Sequence, residues 1–287
     1  APDVPIGYHG RAPPPSRPTA PREEPMTKPP DRPSERPTLA YHDRDFLDSD
    51  EARPLRILAE YLEPLHAFRR ERVHDTIVFF GSARLAEDGP LGRYHAEARE
   101  LARLVTAWSA TLPGPVRRFL VCTGGGGGIM EAANRGAADA GGRTIGLNIS
   151  LPFEQRPNAY ITPELLFEFH YFFMRKLWFS HLARAFVAFP GGFGTLDELF
   201  ETLTLAQTHK LDRRILILLY GSDFWKPLVD LPALARLGMI SPGDLDLLRF
   251  VDSPAEAFAV LRDGLSTGLE AKTPAIASER GLLLVNP

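Results

Sequence analysis

The stretch AFVAFPGGFGTLDELFETLTLAQ, residues 185–207, constrains this chain more than any other. Ala185 to Phe189 is an unbroken apolar run of the kind that fills a buried strand. Pro190 and two glycines interrupt it, and from Thr195 onward Leu196, Leu199, Phe200, Leu203 and Ala206 recur on one helical face. A strand, a tight glycine turn and a helix opening at Thr195 are expected in that order. The unpaired N–H groups of such a terminus, with the positive end of the helix dipole, favour a bound anion by roughly 0.3–1 kcal/mol per charge. Phosphate is the natural guest.

The same alternation runs through most of the chain. Apolar segments at 76–80, 119–122, 144–149, 165–169, 215–220 and 250–251 read as strands. Helical patterns at 91–110, 129–140, 172–183, 223–235 and 254–265 fall between or after them. Ahead of the first strand, residues 51–72 carry a helical pattern through Leu55, Leu58, Ala59, Leu62 and Leu65, which Pro64 should kink or end because it lacks an N–H. Strands that are apolar at every position belong to a parallel sheet covered on both faces. The expected fold is therefore α/β, a Rossmann-like doubly wound parallel sheet in a single domain, with ligands at the carboxyl ends of its strands.

Composition bounds the rest. A chain of 287 residues with 44% hydrophobic content can bury one sizeable core. Its 33 basic and 36 acidic residues leave a net charge of −3, which offers no surface for nucleic acid and no polybasic membrane patch. Residues 1–40 hold 12 of the 27 prolines and few large apolar groups, too little to fold alone. The organisation expected is a disordered or draped Pro-rich arm over 1–45, a Rossmann-like domain over 46–268 and a C-terminal tail over 269–287. No run approaches the roughly 20 apolar residues of a membrane span, no secretory h-region is present, and the lone Cys122 fits a reducing compartment, so a cytoplasmic protein is expected. Cys122 lies in the apolar run FLVCTG and reads as core rather than nucleophile.

Two glycine-rich turns, Gly124 to Gly128 and Gly191 to Gly194, each follow a strand and open a helix. Neither matches G-x-G-x-x-G, and no G-x-x-x-x-G-K-[ST] occurs, which disfavours a dinucleotide cofactor and a P-loop. The histidines show no metal-ligand spacing, so no metal and no cofactor are expected, and His170 and His181 read as packing or surface residues. Thr195-Leu196-Asp197-Glu198 has the spacing of a capping box, in which hydroxyl and carboxylate satisfy orphan N–H groups. On spacing alone a cap and a catalytic role both stand. The residues themselves reach a phosphate-binding crevice and no further.

The segments TGGGGGIMEAANRGA (123–137), NAYITPELLFEFHYFFMRK (158–176) and FPGGFGTLDELFETLTLAQTHK (189–210) resemble the LOG family, once labelled lysine decarboxylase-like. The likeness spans roughly 73–262 and rests on P-G-G-x-G-T-x-x-E, complete from Pro190 to Glu198, preceded by the Arg175-Lys176 pair. It implies a phosphoribohydrolase that cleaves the N-glycosidic bond of nucleoside 5′-monophosphates, typically N6-modified AMP or AMP, to free base and ribose 5-phosphate. By the same resemblance Glu198 and Arg175 are the catalytic candidates. Glu198 would stabilise an oxocarbenium-like state and direct water, and Arg175 would hold phosphate or the departing base. Gly191, Gly192, Gly194 and Thr195 would cradle the 5′-phosphate, and Gly124, Gly125, Gly126, Gly127 and Gly128 with Met130 and Glu131 would border the nucleotide. Ser82, Asn158, Met174 and Lys176 complete the substrate-binding set.

Family members often carry proline where this chain has Gly127, which loosens the loop. The resemblance also implies a homodimer or higher homo-oligomer, and the aromatic segment 167–178 is either its interface or core. Two rivals remain: a pyridoxal-dependent decarboxylase, for which Lys176 and Lys210 lack a recognisable cofactor context, and a non-catalytic nucleotide or molybdenum-cofactor carrier, which would use the same turns.

Overall fold

Apolar residues at every position of a strand can be buried only between two layers, and that is how these strands are placed. The computed structural model describes residues 37–152, 156–211 and 215–266. Most of the expected arm and the tail lie outside the described residues. The chain divides into two units, Ala1–Arg44 and Asp45–Pro287. Of the first, the described part is a 3-10 turn at Ala40–His42 and the Arg44 that begins the short helix α1 (Arg44–Asp48).

The second unit is built on one sheet. Its strands are β1 (Thr76–Phe80), β2 (Leu120–Thr123), β3 (Thr144–Ile149), β4 (Leu166–Phe169), β5 (Ala183–Ala188), β6 (Leu216–Tyr220) and β7 (Leu248–Val251). They pair in the order β4-β3-β2-β1-β5-β6-β7, all parallel. The helices are α2 (Arg53–Arg70), α3 (Gly92–Ser109), α4 (Ile129–Asp139), α5 (Phe172–His181), α6 (Phe193–Gln207), α7 (Ser222–Leu228), α8 (Leu231–Arg236) and α9 (Pro254–Ser266). One face of β1 packs Ile77 and Phe79 with Leu101, Val105, Ile129 and Leu261 from α3, α4 and α9. The other packs Val78 and Phe80 with Phe68, Trp178 and Phe179 from α2 and α5. This is the doubly wound parallel sheet expected. The chain winds outward from β1 to β4 and then returns to place β5 on the other side of β1, so the switch point lies between β1 and β5.

One helical expectation is narrowed and another needs correction. Helix α2 runs through Pro64 without ending. A proline leaves the carbonyl four residues earlier without its helical donor, and here the Trp178 indole N–H takes that place, donating to the Glu60 carbonyl at 3.0 Å. The pattern over 223–235 forms two helices instead of one. The chain breaks at Val229 and Asp230, and the Asp230 carboxylate caps α8 by accepting from the Ala233 N–H at 2.9 Å. Strand β5 also begins two residues earlier than its apolar run, at Ala183, which pairs with Thr76.

Candidate functional site

Both glycine turns leave carboxyl ends of the two strands that flank β1, Gly124 to Gly128 after β2 and Gly191 to Gly194 after β5, the second at the switch point. Ser82, just beyond β1 and between them, ties the two together. Its N–H donates to the Pro190 carbonyl at 3.0 Å and its carbonyl accepts from the Ile129 N–H at 3.1 Å. Its hydroxyl accepts from the Arg84 N–H at 3.1 Å. Gly128 caps α4 with φ 60°, and a Cβ there would overlap the Ser82 carbonyl. Only glycine meets both demands.

The second turn differs from the expected geometry. Helix α6 begins at Phe193 with Gly192 as its cap, and no side chain satisfies that terminus. Thr195 and Glu198 are therefore inside the helix, and the capping box does not form. The Thr195 side chain is buried against Gly191, where a Cβ would overlap it. Gly192 and Gly194 are exposed, neither has φ in the left-handed range, and a Cβ on either would meet no heavy atom within 4 Å. Packing does not explain those two glycines. Phe193 between them is 93% exposed.

Relieved of capping, Glu198 turns toward α5. Its carboxylate lies 3.3 Å from Arg175, and the two side chains are 14% and 12% exposed. The guanidinium also lies over the rings of Phe172 and Phe179, 5.3 and 5.6 Å from their centroids. Among the described residues its buried Nε has no partner. Arg175 is therefore not a solvated surface cation. Burial pushes the Glu198 carboxyl up to about 7, and Arg175 beside it only partly offsets that. Burial likewise lowers the Arg175 pKa. Cys122 is buried, and burial with the nearby Glu198 charge pushes its thiol up, as suits core rather than nucleophile. Lys176 is engaged elsewhere: its ammonium lies 2.8 Å from Asp197 and 3.1 Å from Glu201 on α6.

The first turn is held by a polar network that sequence reasoning largely missed. Thr123 Oγ1 donates to Asn134 Oδ1 at 2.7 Å and accepts from the Gly125 N–H at 3.0 Å. The fully buried Asn134 amide also donates to Thr144 Oγ1 and to the Ile145 carbonyl. Asn158 completes the network from across the loop, donating to the Gly125 and Gly126 carbonyls and to Asn134 Oδ1. Its amide is spent on the loop. A polar residue in the middle of the α4 pattern AANRGA was the one available signal for Asn134.

A Cβ on Gly124 would lie 2.9 Å from Met130 Sδ and 3.7 Å from Arg175 Nη1, so Met130 and Arg175 stand together over that glycine. Glu131 Oε2 lies near Gly127. Met174 is buried in the core. The aromatic segment divides in the same manner. Phe167, Phe169, Tyr171 and Trp178 are buried in the core, whereas Phe172, Phe173 and Leu177 are exposed. His170 and His181 are surface residues in edge contact with Tyr171 and Trp178.

A family model described as possible lysine decarboxylase matches residues 130–261, which takes in Arg175, Lys176 and Pro190 to Glu198 and begins just after the first glycine turn. The chain is 28% identical over 172 residues to the cytokinin riboside 5′-monophosphate phosphoribohydrolase of Rhodococcoides fascians, covering 53% of this chain and 86% of that one. It is 32% identical over 142 residues to the cytokinin riboside 5′-monophosphate phosphoribohydrolase LOG of Oryza sativa subsp. japonica, covering 48% of this chain and 52% of that one. Among solved structures, the Moco carrier protein of Chlamydomonas reinhardtii matches at 21% identity with a TM-score of 0.46, covering 67% of this chain and 98% of that one.

Proposed function

We propose that the chain, which is similar to cytokinin riboside 5′-monophosphate phosphoribohydrolases, is itself a phosphoribohydrolase of the LOG type, hydrolysing the N-glycosidic bond of a nucleoside 5′-monophosphate to free base and ribose 5-phosphate. AMP and N6-modified AMP are the proposed substrates. The observation that carries this reading is the buried Arg175–Glu198 pair beside the glycine turns that follow the two strands flanking β1. A carboxyl held at about 7 is divided between its two protonation states near neutral pH, which suits proton transfer.

In the proposed reaction the phosphate binds the Gly191–Thr195 turn at the amino end of α6, where backbone N–H groups and the helix dipole favour it. The C1′–N bond breaks with its electron pair leaving on the base. Ionised Glu198 stabilises the positive charge developing on the ribose and takes a proton from the water that adds to C1′. The proton that Glu198 takes from the water passes to the departing base nitrogen, so the base leaves neutral and the carboxylate is restored. Arg175 serves as a fixed planar cation on the phosphate or the departing base, a geometry lysine does not reproduce.

The decarboxylase description finds no support in Lys176, the lysine beside the Arg175–Glu198 pair. A Schiff-base lysine needs a lowered pKa, whereas for Lys176 the bonds to Asp197 and Glu201 outweigh burial and raise it. The exposed Phe172, Phe173 and Leu177 are the proposed contact of a homo-oligomer, and a monomeric mass in light scattering would remove that proposal.

The test is product analysis with AMP, N6-isopentenyl-AMP, GMP and CMP, following base and ribose 5-phosphate by chromatography. Release from the adenine nucleotides is expected. Binding without release from any of them would replace the hydrolase with a non-catalytic nucleotide carrier.

A further inference from the structure

Five successive glycines are costly to hold in one conformation, because each loses more backbone freedom than any other residue would. The loop Gly124–Gly128 is nevertheless tied at both ends, by the Gly125 N–H on Thr123 Oγ1 and by the Ile129 N–H on the Ser82 carbonyl. Between these ties, two consecutive carbonyls meet one side chain. Asn158 Nδ2 lies 3.2 Å from the Gly125 carbonyl, 3.0 Å from that of Gly126 and 2.9 Å from Asn134 Oδ1. The Asn158 N–H donates to the Gly125 carbonyl at 2.9 Å, and its Oδ1 accepts from the Tyr160 N–H at 3.2 Å. The network fixes the amide orientation, since a flipped Asn158 would set its oxygen against three acceptors.

In a trans peptide the carbonyl and the following N–H point in opposite directions. Holding the Gly125 and Gly126 carbonyls therefore turns the N–H groups of Gly126 and Gly127 away from Asn158. Neither N–H has a partner among the described residues. Successive free N–H groups of this kind form a concave surface for anions.

We infer that Asn158 is a positioning residue, which clamps the five-glycine loop so that the Gly126 and Gly127 N–H groups stand as fixed donors to the anionic ligand. This rests on the reading that the crevice binds a nucleoside 5′-monophosphate. Asn158 itself does not touch the ligand. The clamp supplies stiffness that the glycine sequence lacks.

The test compares wild type with Asn158→Ala, Asn158→Asp and the double variant Asn158→Ala/Gly127→Ala. A Cβ at Gly127 has room, with the Ala83 carbonyl at 3.5 Å and Glu131 Oε2 at 3.9 Å, and alanine narrows the backbone choices while keeping the N–H. Glycine-selective NMR without ligand reads the loop, calorimetry reads AMP binding, and thermal melting reads overall stability. In Asn158→Ala the order parameters of Gly126 and Gly127 should fall from about 0.85 to below about 0.6. AMP affinity should drop about tenfold or more, Asn158→Asp should be worse because it sets a carboxylate against three oxygens, and the double variant should regain much of the loss. A lower melting temperature with unchanged order parameters and unchanged AMP affinity would make Asn158 merely structural and overturn the inference. If wild type binds no nucleotide, the nucleotide reading fails by itself. Unchanged order parameters would then still overturn the clamp.

Discussion

Arg175 and Glu198 meet at 3.3 Å across α5 and α6, each nearly buried, with the guanidinium held over the rings of Phe172 and Phe179. Glu198 has no duty in capping, since α6 opens two residues before Thr195 on Gly192. A buried carboxylate that supports no helix terminus and is paired to one cation is free to take part in chemistry. Glu198→Gln keeps the shape and the hydrogen-bond acceptor but removes the charge and the basicity. Turnover of AMP should fall by about 10³-fold while the AMP dissociation constant stays within about threefold. Steady-state kinetics and calorimetry on the same preparation check this, and full activity in the variant would reduce Glu198 to a structural residue.

The pH dependence follows from the same burial. The Glu198 carboxyl sits at about 7 in the folded protein against an ordinary 4.5, so the folded state holds this proton more tightly than the unfolded chain. Its favourable contribution is complete below pH 4.5 and is lost as pH rises to about 7, a total of roughly 3 kcal/mol. Glu198→Gln does not ionise, so its stability advantage over wild type should open between pH 4.5 and 7 and stay level above. Urea denaturation across that range measures the gap, and a constant gap would mean that Glu198 titrates normally. Because the proposed reaction needs the carboxylate, kcat/KM should also fall about tenfold per pH unit below about 7.

Gly194 separates stability from binding. It lies in the first turn of α6, its φ is outside the left-handed range, and a Cβ there meets nothing within 4 Å. Alanine at such a helical position should stabilise the fold by up to about 0.5–1 kcal/mol. If a phosphate closes on this turn, the same methyl group should weaken AMP binding by about tenfold. Urea midpoints and calorimetry on Gly194→Ala test both halves. Unchanged affinity would place the phosphate elsewhere.

How much of this was legible in the sequence depended on how local each determinant is. Thr76–Phe80, Thr144–Ile149 and the α4 start at Ile129 are set by continuous apolar runs and the glycines beside them, and they were readable directly. The start of α6 was misplaced because Thr195 to Glu198 carries a capping-box pattern, while the cap is a glycine whose choice no side-chain preference reveals. Asn158 was assigned to substrate by resemblance, and its partners are 24 to 33 residues away on the first glycine turn and α4, where only the folded chain brings them. Lys176 was likewise read as a ligand group, and its two carboxylates on α6 are visible only once α5 and α6 lie side by side. Arg175 and Glu198 were named from the family motif alone, and nothing in the spacing of 175 and 198 says that the two side chains meet.

The passage of α2 through Pro64 gives the sharpest case of a distant residue overriding a local rule. Pro64 removes the N–H that would bond the Glu60 carbonyl, and the Trp178 indole, 118 residues later, supplies a donor at 3.0 Å. Trp178→Phe keeps an aromatic ring in the cluster with Phe68 and Tyr61 but strands that carbonyl. The cost should be about 2–3 kcal/mol, from the lost hydrogen bond and the smaller ring together. Restoring a backbone N–H with Pro64→Ala should recover part of it, so the two substitutions should be non-additive by about 1 kcal/mol. A double-mutant cycle in urea decides this. Strict additivity would mean that the indole contributes by packing alone and that the helix tolerates Pro64 for another reason.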